Sequence, residues 1–263
     1  MNILDQIIAH KRIEVGIRKK LFSVSSLEVS TFYNQKRPSF RDAVAEAGPS
    51  IIGEFKRKSP SKGIINSQVE IDEVAKGYQE AGVKAMSILT DLEFFGGDEL
   101  DLQKVASYAT IPLLRKDFIV DEYQIIESKS FGASAILLIA AVLTKKEIHK
   151  FTQLADTLGL DILCEIHDPS ELDKLDRRNT ILGINNRNLK TFSVDIGHSQ
   201  ELIRQLPADS LKVAESGLSS YEEVKLLFET GFDAFLIGEN FMRTPDPGHA
   251  AGKFIKGLKQ EIR

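Results

Sequence analysis

Two side chains of opposite charge, Glu54 and Lys56, stand two residues apart where the apolar run Ile51–Phe55 gives way to Arg57-Lys58-Ser59-Pro60-Ser61-Lys62-Gly63. Residues i and i+2 of a strand face the same side, so carboxylate and ammonium project together, with Ser59 and Lys62 following on a turn-rich loop. Burying such charges is costly unless they pair or hold a ligand. A structural ion pair would satisfy that condition if the segment stood alone. The pattern returns, however, at the ends of later apolar runs: Lys116, Glu165 with His167, Asn185-Asn186-Arg187, Glu215-Ser216-Gly217 and Gly238-Glu239-Asn240. Two ammonium groups and two or three carboxylates converging on one partly dry mouth suit proton transfer without a metal.

A metal half-site at Glu165 and His167 lacks a supporting His or Cys cluster. His167 is therefore expected to support a neighbour or the fold, and His10, His149, His198 and His249 to lie on the surface. Gly217 and Gly238 could be tight-turn residues only. Their place after the seventh and eighth runs favours a phosphate held by loop N–H groups and a helix N-terminus, with Lys56 adding positive charge. Phe94-Phe95 precede Gly96-Gly97, and one of these rings, like Phe118, is expected to wall an apolar ligand.

Those groups meet only if the runs are strands of one sheet. Strands are expected at Ile51–Phe55, Ala85–Leu89, Pro112–Arg115, Ala135–Ile139, Asp161–Glu165, Ile181–Asn185, Leu211–Glu215 and Ala234–Ile237. Between them apolar residues recur at helical spacing, as in Ile71, Val74, Ala75 and Tyr78 before Gly82, Ile148, Phe151 and Ala155 before Gly159, and Val224, Leu227 and Phe228 before Gly231. Glycine just past a helix is the expected terminator, and Asp168-Pro169 reads as a cap followed by proline at the first helical position. The form Gly-x-x-Ala recurs at Gly82, Gly132 and Gly231, which suits strands two, four and eight of a repeated β/α unit.

Eight alternating units predict a closed (β/α)8 barrel, an α/β fold. A doubly wound open sheet is the rival, but the Gly-rich dinucleotide fingerprint is missing after the first strand. Residues 1–50 read as a helical extension packed on a barrel that with it forms one domain, 1–263. Leu4, Ile7 and Ile8 make an apolar edge, and Ser39 opens a second helix. The runs Lys11-Arg12 and Arg18-Lys19-Lys20 read as solvated helix faces. A net charge of −4 argues against a generic nucleic-acid binder. The single cysteine, Cys164, lies in an apolar run and excludes an intrachain disulfide. No apolar stretch reaches membrane-spanning length, charged residues break any N-terminal leader core, and a cytoplasmic enzyme is expected.

These segments resemble the indole-3-glycerol-phosphate synthase family of tryptophan biosynthesis over essentially the whole chain. The resemblance is carried by residues 52–63 (Ile-Gly-Glu-Phe-Lys-Arg-Lys-Ser-Pro-Ser-Lys-Gly), Leu-Thr-Asp at 89–91, Phe-Phe-Gly-Gly at 94–97 and Arg-Lys-Asp-Phe-Ile at 115–119. It continues in Cys-Glu-Ile-His-Asp at 164–168, Gly-Ile-Asn-Asn-Arg-Asn-Leu at 183–189, Ala-Glu-Ser-Gly at 214–217 and Leu-Ile-Gly at 236–238. It implies a (β/α)8 barrel without a cofactor, converting 1-(2-carboxyphenylamino)-1-deoxyribulose 5-phosphate to indole-3-glycerol phosphate with loss of carbon dioxide and water. By resemblance, Lys116 is the general acid at the ketone oxygen and Glu165 serves later proton transfer. Lys56 meets the substrate carboxylate and donates in the dehydration, and Glu54 orients Lys56. Asn185 and Arg187 hold substrate oxygens, and Ser59 contacts the carboxylate. Phe95, Phe118 and Leu137 enclose the ring, while Glu215, Ser216, Gly217 and Gly238 form the substrate's other contacts, the last three at phosphate.

Glu239 departs from the family's commoner serine, and is expected to turn outward and leave only backbone groups at the phosphate. Pro60 and Gly63 make the loop 56–63 a candidate lid. The rival functions are a phosphoribosylanthranilate isomerase-like barrel, which does not require Lys56, Lys116 and Glu165 together, and a non-catalytic phosphate-binding barrel, whose mark would be loss of Lys116 or Glu165. The expected partner is a small sugar-phosphate substrate, with neither nucleic acid nor membrane. A monomer is expected, in no more than transient contact with neighbouring pathway enzymes.

Overall fold

Strands covered by helices on one side and packed on each other on the other side must be apolar on both faces. Eight such strands are present: β1 (Ser50–Phe55), β2 (Ala85–Leu89), β3 (Leu113–Lys116), β4 (Ala135–Ile139), β5 (Asp161–Ile166), β6 (Ile181–Asn185), β7 (Leu211–Glu215) and β8 (Ala234–Ile237). The computed structural model describes residues 2–187 and 195–262. Every strand runs parallel to its sequence neighbours, and β8 closes on β1 with Ser50–Gly53 opposite Ala234–Ile237. The sheet is thus a closed barrel, and strand edges fall within one residue of those expected.

Side-chain alternation sorts the apolar residues into two cores. Ile52, Leu114, Leu137, Leu163, Val213 and Leu236 fill the barrel interior, together with Ala85, Ala135 and Ala234. These three alanines close the Gly-x-x-Ala repeat, and its glycines, Gly82, Gly132 and Gly231, all have positive φ at or just past helix ends. The outward residues of the strands pack under helices such as Ile71–Ala81, Lys145–Leu158, Tyr221–Thr230 and Pro247–Glu261. One unit departs from the expected pattern. After β5 the helix is a 3-10 segment, Pro169–Lys174, capped by Asp168. Leu172 and Leu175 pack on the outer core three residues apart, the period of the tighter helix.

The N-terminal segment touches both ends of the barrel. Helix Phe40–Val44 inserts Phe40 and Val44 into the interior cluster beside the three alanines, and Asp161 accepts from the Arg41 N–H at 3.0 Å. Helix Ile3–Leu21, opened by a reciprocal Asn2–Asp5 cap, lies at the opposite end, where Ile3, Leu4 and Ile7 face the cavity. Its Arg12, Lys19 and Lys20 are exposed, as expected, whereas Lys11 is fully buried. The Lys11 ammonium lies 3.0 Å from Asp91, 3.0 Å from Asp117 and 2.9 Å from Glu14. Arg18 is also turned inward, onto Glu99 and Glu127. A solvated face is therefore the wrong description of Lys11 and Arg18. The reason is helical phase: Ile7, Lys11 and Val15 recur every fourth residue and are the helix's buried stripe.

Removing one partner of a buried ion pair leaves the other charge uncompensated, at about 3–5 kcal/mol. Lys11→Met is expected to destabilise the fold by an amount in that range, read as a lower denaturant midpoint at unchanged slope. Arg12→Met, on the exposed side of the same turn, is expected to leave the midpoint within about 0.5 kcal/mol.

Candidate active site

The carboxyl ends of the strands open into a cavity of about 380 Å³, within the range of small-molecule sites. Inward alternation puts Glu54 at the end of β1, Lys116 at the end of β3, Glu165 in β5, Asn185 at the end of β6 and Glu215 at the end of β7. Four of them line the cavity, with Lys56, Ser59, Phe95, Phe118, Leu137, Arg187, Ser216, Gly217 and Gly238. Glu215 does not: it is buried below the floor, against Lys116. The 183–189 segment ends in Asn188 and Leu189, which lie outside the described residues.

The floor is a set of compensated charges. Lys116 Nζ lies 3.4 Å from Glu215 Oε2 and 3.8 Å from Glu165 Oε2. Burial works against the ammonium, but Glu215, Glu165 and Glu54 outweigh it and hold its pKa above the ordinary lysine value. Glu54 accepts from Lys56 at 2.6 Å. Burial opposes its charge too, yet Lys56 and Lys116 keep its carboxyl below the usual range. Glu215 goes the other way. Burial, then repulsion from Glu165, push it up from 4.5 to about 8 against the pull of Lys116. Among the three carboxyls of the floor, Glu215 is thus the one that gives up its proton least readily.

Two glycines make room for these acids. A Cβ at Gly183 would sit 2.1 Å from Glu215 Oε1, and one at Gly238 would sit 2.5 Å from Glu54 Oε1. Gly238, expected only as a phosphate-loop glycine, is thus also required by the floor. His167 lies beside Glu165, Nε2 to Oε1 3.3 Å, and its carbonyl accepts from His198 at 2.8 Å. Cys164 is buried in β5 with its thiol pushed up to about 12 by burial and by Glu165, so it packs rather than reacts.

The rim divides into two ends. At one, Phe95 and Phe118 stand 5.9 Å apart between centroids, with Leu137 and the N-terminal Leu4 and Ile7. Asp91 caps the turn that carries Phe95, accepting from Phe94 N at 2.8 Å, and Asp117 accepts from Phe118 N at 2.8 Å. Lys11 therefore grips both loops of this wall. Burial opposes the Asp117 charge, but Lys11 and Arg115 bring its carboxyl down to about 2. Neither Lys11 nor these aspartates were expected at the site. The available signal was a lysine in the Ile7–Val15 stripe.

At the other end stand Ser216, Gly217, Gly238, Arg187 and Glu239. Ser216 has φ +68°, a left-handed backbone that L-residues avoid, followed by Gly217 at +73°. Such strain persists where the surroundings impose it, commonly at functional loops. Glu239 does not turn outward as expected. Its carboxylate reaches Arg187 at 3.5 Å and Lys62 at 3.8 Å, joining the loops after β1, β6 and β8. The attraction of two flanking cations overrides the tendency of a half-exposed carboxylate to face water. In the same loop after β1, Lys58–Ser59 pairs with Gly63–Ile64 as a small hairpin.

A closed parallel barrel with acid–base side chains gathered at the carboxyl ends of its strands defines a β/α-barrel enzyme. The indole-3-glycerol phosphate synthase family model matches residues 4–254. Proteins named for that activity are 43% identical over 258 residues in Bacteroides thetaiotaomicron, covering 98% of this chain and 99% of the relative, and 44% identical over 260 residues in Thermoanaerobacter pseudethanolicus, covering 98% of each. The chain belongs to the indole-3-glycerol phosphate synthase family. At the level of fold alone it is similar to a mutant tryptophan synthase α-subunit of Pyrococcus furiosus, with TM-score 0.60, 13% identity, and coverage of 80% of this chain and 98% of that one. Among the described residues no helix is long and apolar enough to cross a membrane.

The raised Glu215 pKa sets a pH dependence. A carboxyl that binds its proton more tightly when folded adds stability that is complete below its unfolded pKa and is lost as pH rises towards its folded value. The window here runs from about pH 4.5 to about pH 8. Glu215→Gln is expected to flatten the fall in unfolding midpoint across that window, measured by denaturation at pH 5, 6.5 and 8. A wild type whose midpoint does not fall relative to this variant would contradict the raised Glu215 pKa.

Proposed function

We propose that this chain catalyses the ring closure of 1-(2-carboxyphenylamino)-1-deoxyribulose 5-phosphate to indole-3-glycerol phosphate, releasing carbon dioxide and water. The observation that carries the reading is Lys116, set against Glu165 and Glu215 in one cavity with an aromatic wall and a left-handed glycine loop. A flexible substrate held at both ends is folded so that its ring carbon meets its ketone carbon, which converts an improbable encounter into a favoured one. The aminobenzoate ring fits between Phe95, Phe118 and Leu137, with its carboxylate towards Lys56 and Ser59. The phosphate fits at Ser216, Gly217 and Gly238, with Arg187 and Asn185 on intervening oxygens.

As the ring carbon attacks, the ketone's π electrons move to oxygen, which takes a proton from Lys116. A charged donor aimed at a developing alkoxide in a water-poor site stabilises the transition state more than the ground state. The ring–carboxylate bond then breaks, its electrons restoring aromaticity, and carbon dioxide leaves. Finally the new hydroxyl departs as water with a proton from Lys56, and Glu165 takes the proton lost as the second double bond forms. Glu54 keeps Lys56 charged and aimed. Glu215 acts through Lys116, sharing its ammonium from below the floor.

On this reading the protein is a carbon–carbon lyase of the carboxy-lyase class, working on a sugar phosphate by side-chain acid–base chemistry. We further assign it as a monomeric cytoplasmic enzyme of one domain, residues 1–263, in transient contact at most with neighbouring pathway enzymes. In support of one domain, the N-terminal segment supplies part of the cavity wall. No observation favours the isomerase-like or non-catalytic barrels over this reading.

General acid–base groups contribute about 10²–10⁴-fold. Lys116→Ala is expected to lower kcat by at least that much while KM changes little, followed by the indole product's absorbance and fluorescence. Glu165→Gln is expected to fall in the same range with its loss in the later steps, so that an intermediate retaining the hydroxyl accumulates in single-turnover quenches. Near-normal kcat in Lys116→Ala would remove the proposed acid.

A further inference from the structure

Asn185 and Arg187 face the cavity, whereas Asn186 between them faces away, by strand alternation, and is only 3% exposed. All of its polar groups are engaged. Its N–H donates to the Glu215 carbonyl at 2.8 Å, and its own carbonyl accepts from the Asp195 N–H at 2.9 Å. The side-chain Oδ1 accepts from the buried Ser199 hydroxyl, and Nδ2 donates to the Ser216 carbonyl at 2.8 Å. Ser216 is the chain's one described non-glycine residue with positive φ.

A trans peptide is planar, with its C=O and N–H pointing in opposite directions. The Ser216 carbonyl and the Gly217 N–H belong to one such plane. Drawing the carbonyl back to Asn186, behind the loop, turns the Gly217 N–H forward, towards the cavity that Gly217 lines. A neutral amide is suited to this role because one end donates to Ser216 while the other is held by Ser199, which fixes the way the amide points. Without the clamp, the left-handed Ser216 would be disfavoured and the peptide plane would be free to turn.

We propose that Asn186 is a positioning residue for the phosphate end of the reaction: by holding the Ser216–Gly217 peptide plane, it aims the Gly217 N–H at the substrate phosphate. The inference deepens the proposed function and rests on its phosphate assignment. The clamp acts on binding of one substrate end, so it acts on KM and leaves the acid–base groups in place.

Asn186→Asp keeps an acceptor for Ser199 but sets a carboxylate against the Ser216 carbonyl, while Asn186→Ala removes the donor without adding charge. Both are expected to raise KM and the inhibition constant of inorganic phosphate together, by about ten- to a hundredfold, the range for hydrogen bonds to charged groups, with kcat within about threefold of wild type. Inhibition by 2-aminobenzoate, which lacks phosphate, is expected to stay unchanged. Ser199→Ala, a milder change that only loosens the amide, is expected to move the same two constants by about two- to tenfold and serves if the Asn186 variants fold poorly. Variants that bind inorganic phosphate and substrate as wild type does would overturn the clamp and leave the phosphate assignment intact. Equal weakening of phosphate and 2-aminobenzoate would mark a general structural role and also overturn it. A wild type that inorganic phosphate fails to inhibit would instead overturn the phosphate assignment, and the clamp with it.

Discussion

A lysine that must stay charged at the bottom of a nearly dry pocket needs negative charge around it that water cannot replace. Lys116 has three carboxyls for that purpose, Glu54, Glu165 and Glu215, delivered by three different strands. Only a closed barrel brings the ends of β1, β5 and β7 around the end of β3, and only parallel strands point all their carboxyl ends one way. The fold is therefore a precondition of the charge state, and the charge state of the chemistry. Packing is subordinated to it at two places. Gly183 and Gly238 give up a side chain because the space is taken by Glu215 and Glu54.

The same constraint recurs one layer out, and explains how a segment preceding the barrel becomes part of its mouth. Asp91 and Asp117 are buried because each organises a loop backbone, one capping the turn with Phe95 and the other holding Phe118. Two buried carboxylates need a cation. Arg115 serves Asp117 alone, and Lys11 serves both from helix Ile3–Leu21. The helix is thus docked by charge at the mouth, while Phe40 and Val44 dock the same segment by apolar contact at the barrel's other end. Lys11 thus joins the wall of the cavity to the N-terminal helix, which Arg18 and the apolar cluster around Val15 also hold.

Legibility in the sequence followed the range of the forces involved. Strands β2, β4, β6, β7 and β8 begin and end where expected, because a strand buried on both faces is marked by composition along most of its length. Glu54, Lys116 and Glu165 were legible for a related reason: a charge at the end of such a run is too costly to keep unless it is paired or used. Helix ends at Gly82, Gly159 and Gly231 needed only the local rule that left-handed positions take glycine. What stayed hidden depends on partners far along the chain. Lys11 meets residues some 80 and 106 positions away, so its neighbours in sequence make it look like half of a solvated basic pair. The resemblance supplied roles for the rim but not the inward turn of Glu239, which depends on where Lys62 and Arg187 finish.

On the proposed function, that inward turn changes how the phosphate end works. A carboxylate beside a phosphate site looks like a defect, since like charges within a few ångströms repel, yet Glu239 is spanned by Lys62 and Arg187 at 3.8 and 3.5 Å. Without a phosphate present, the carboxylate gives these cations a partner and holds the loops after β1, β6 and β8 in register across the mouth. An incoming dianion meets cations already gathered, and with them a loop whose backbone is already in its left-handed form. Preorganisation of this kind lowers the ordering cost of binding. It also makes Glu239 a competitor that the phosphate must displace, so affinity at this end reflects the difference between two anions for the same pair of cations rather than the sum of new contacts.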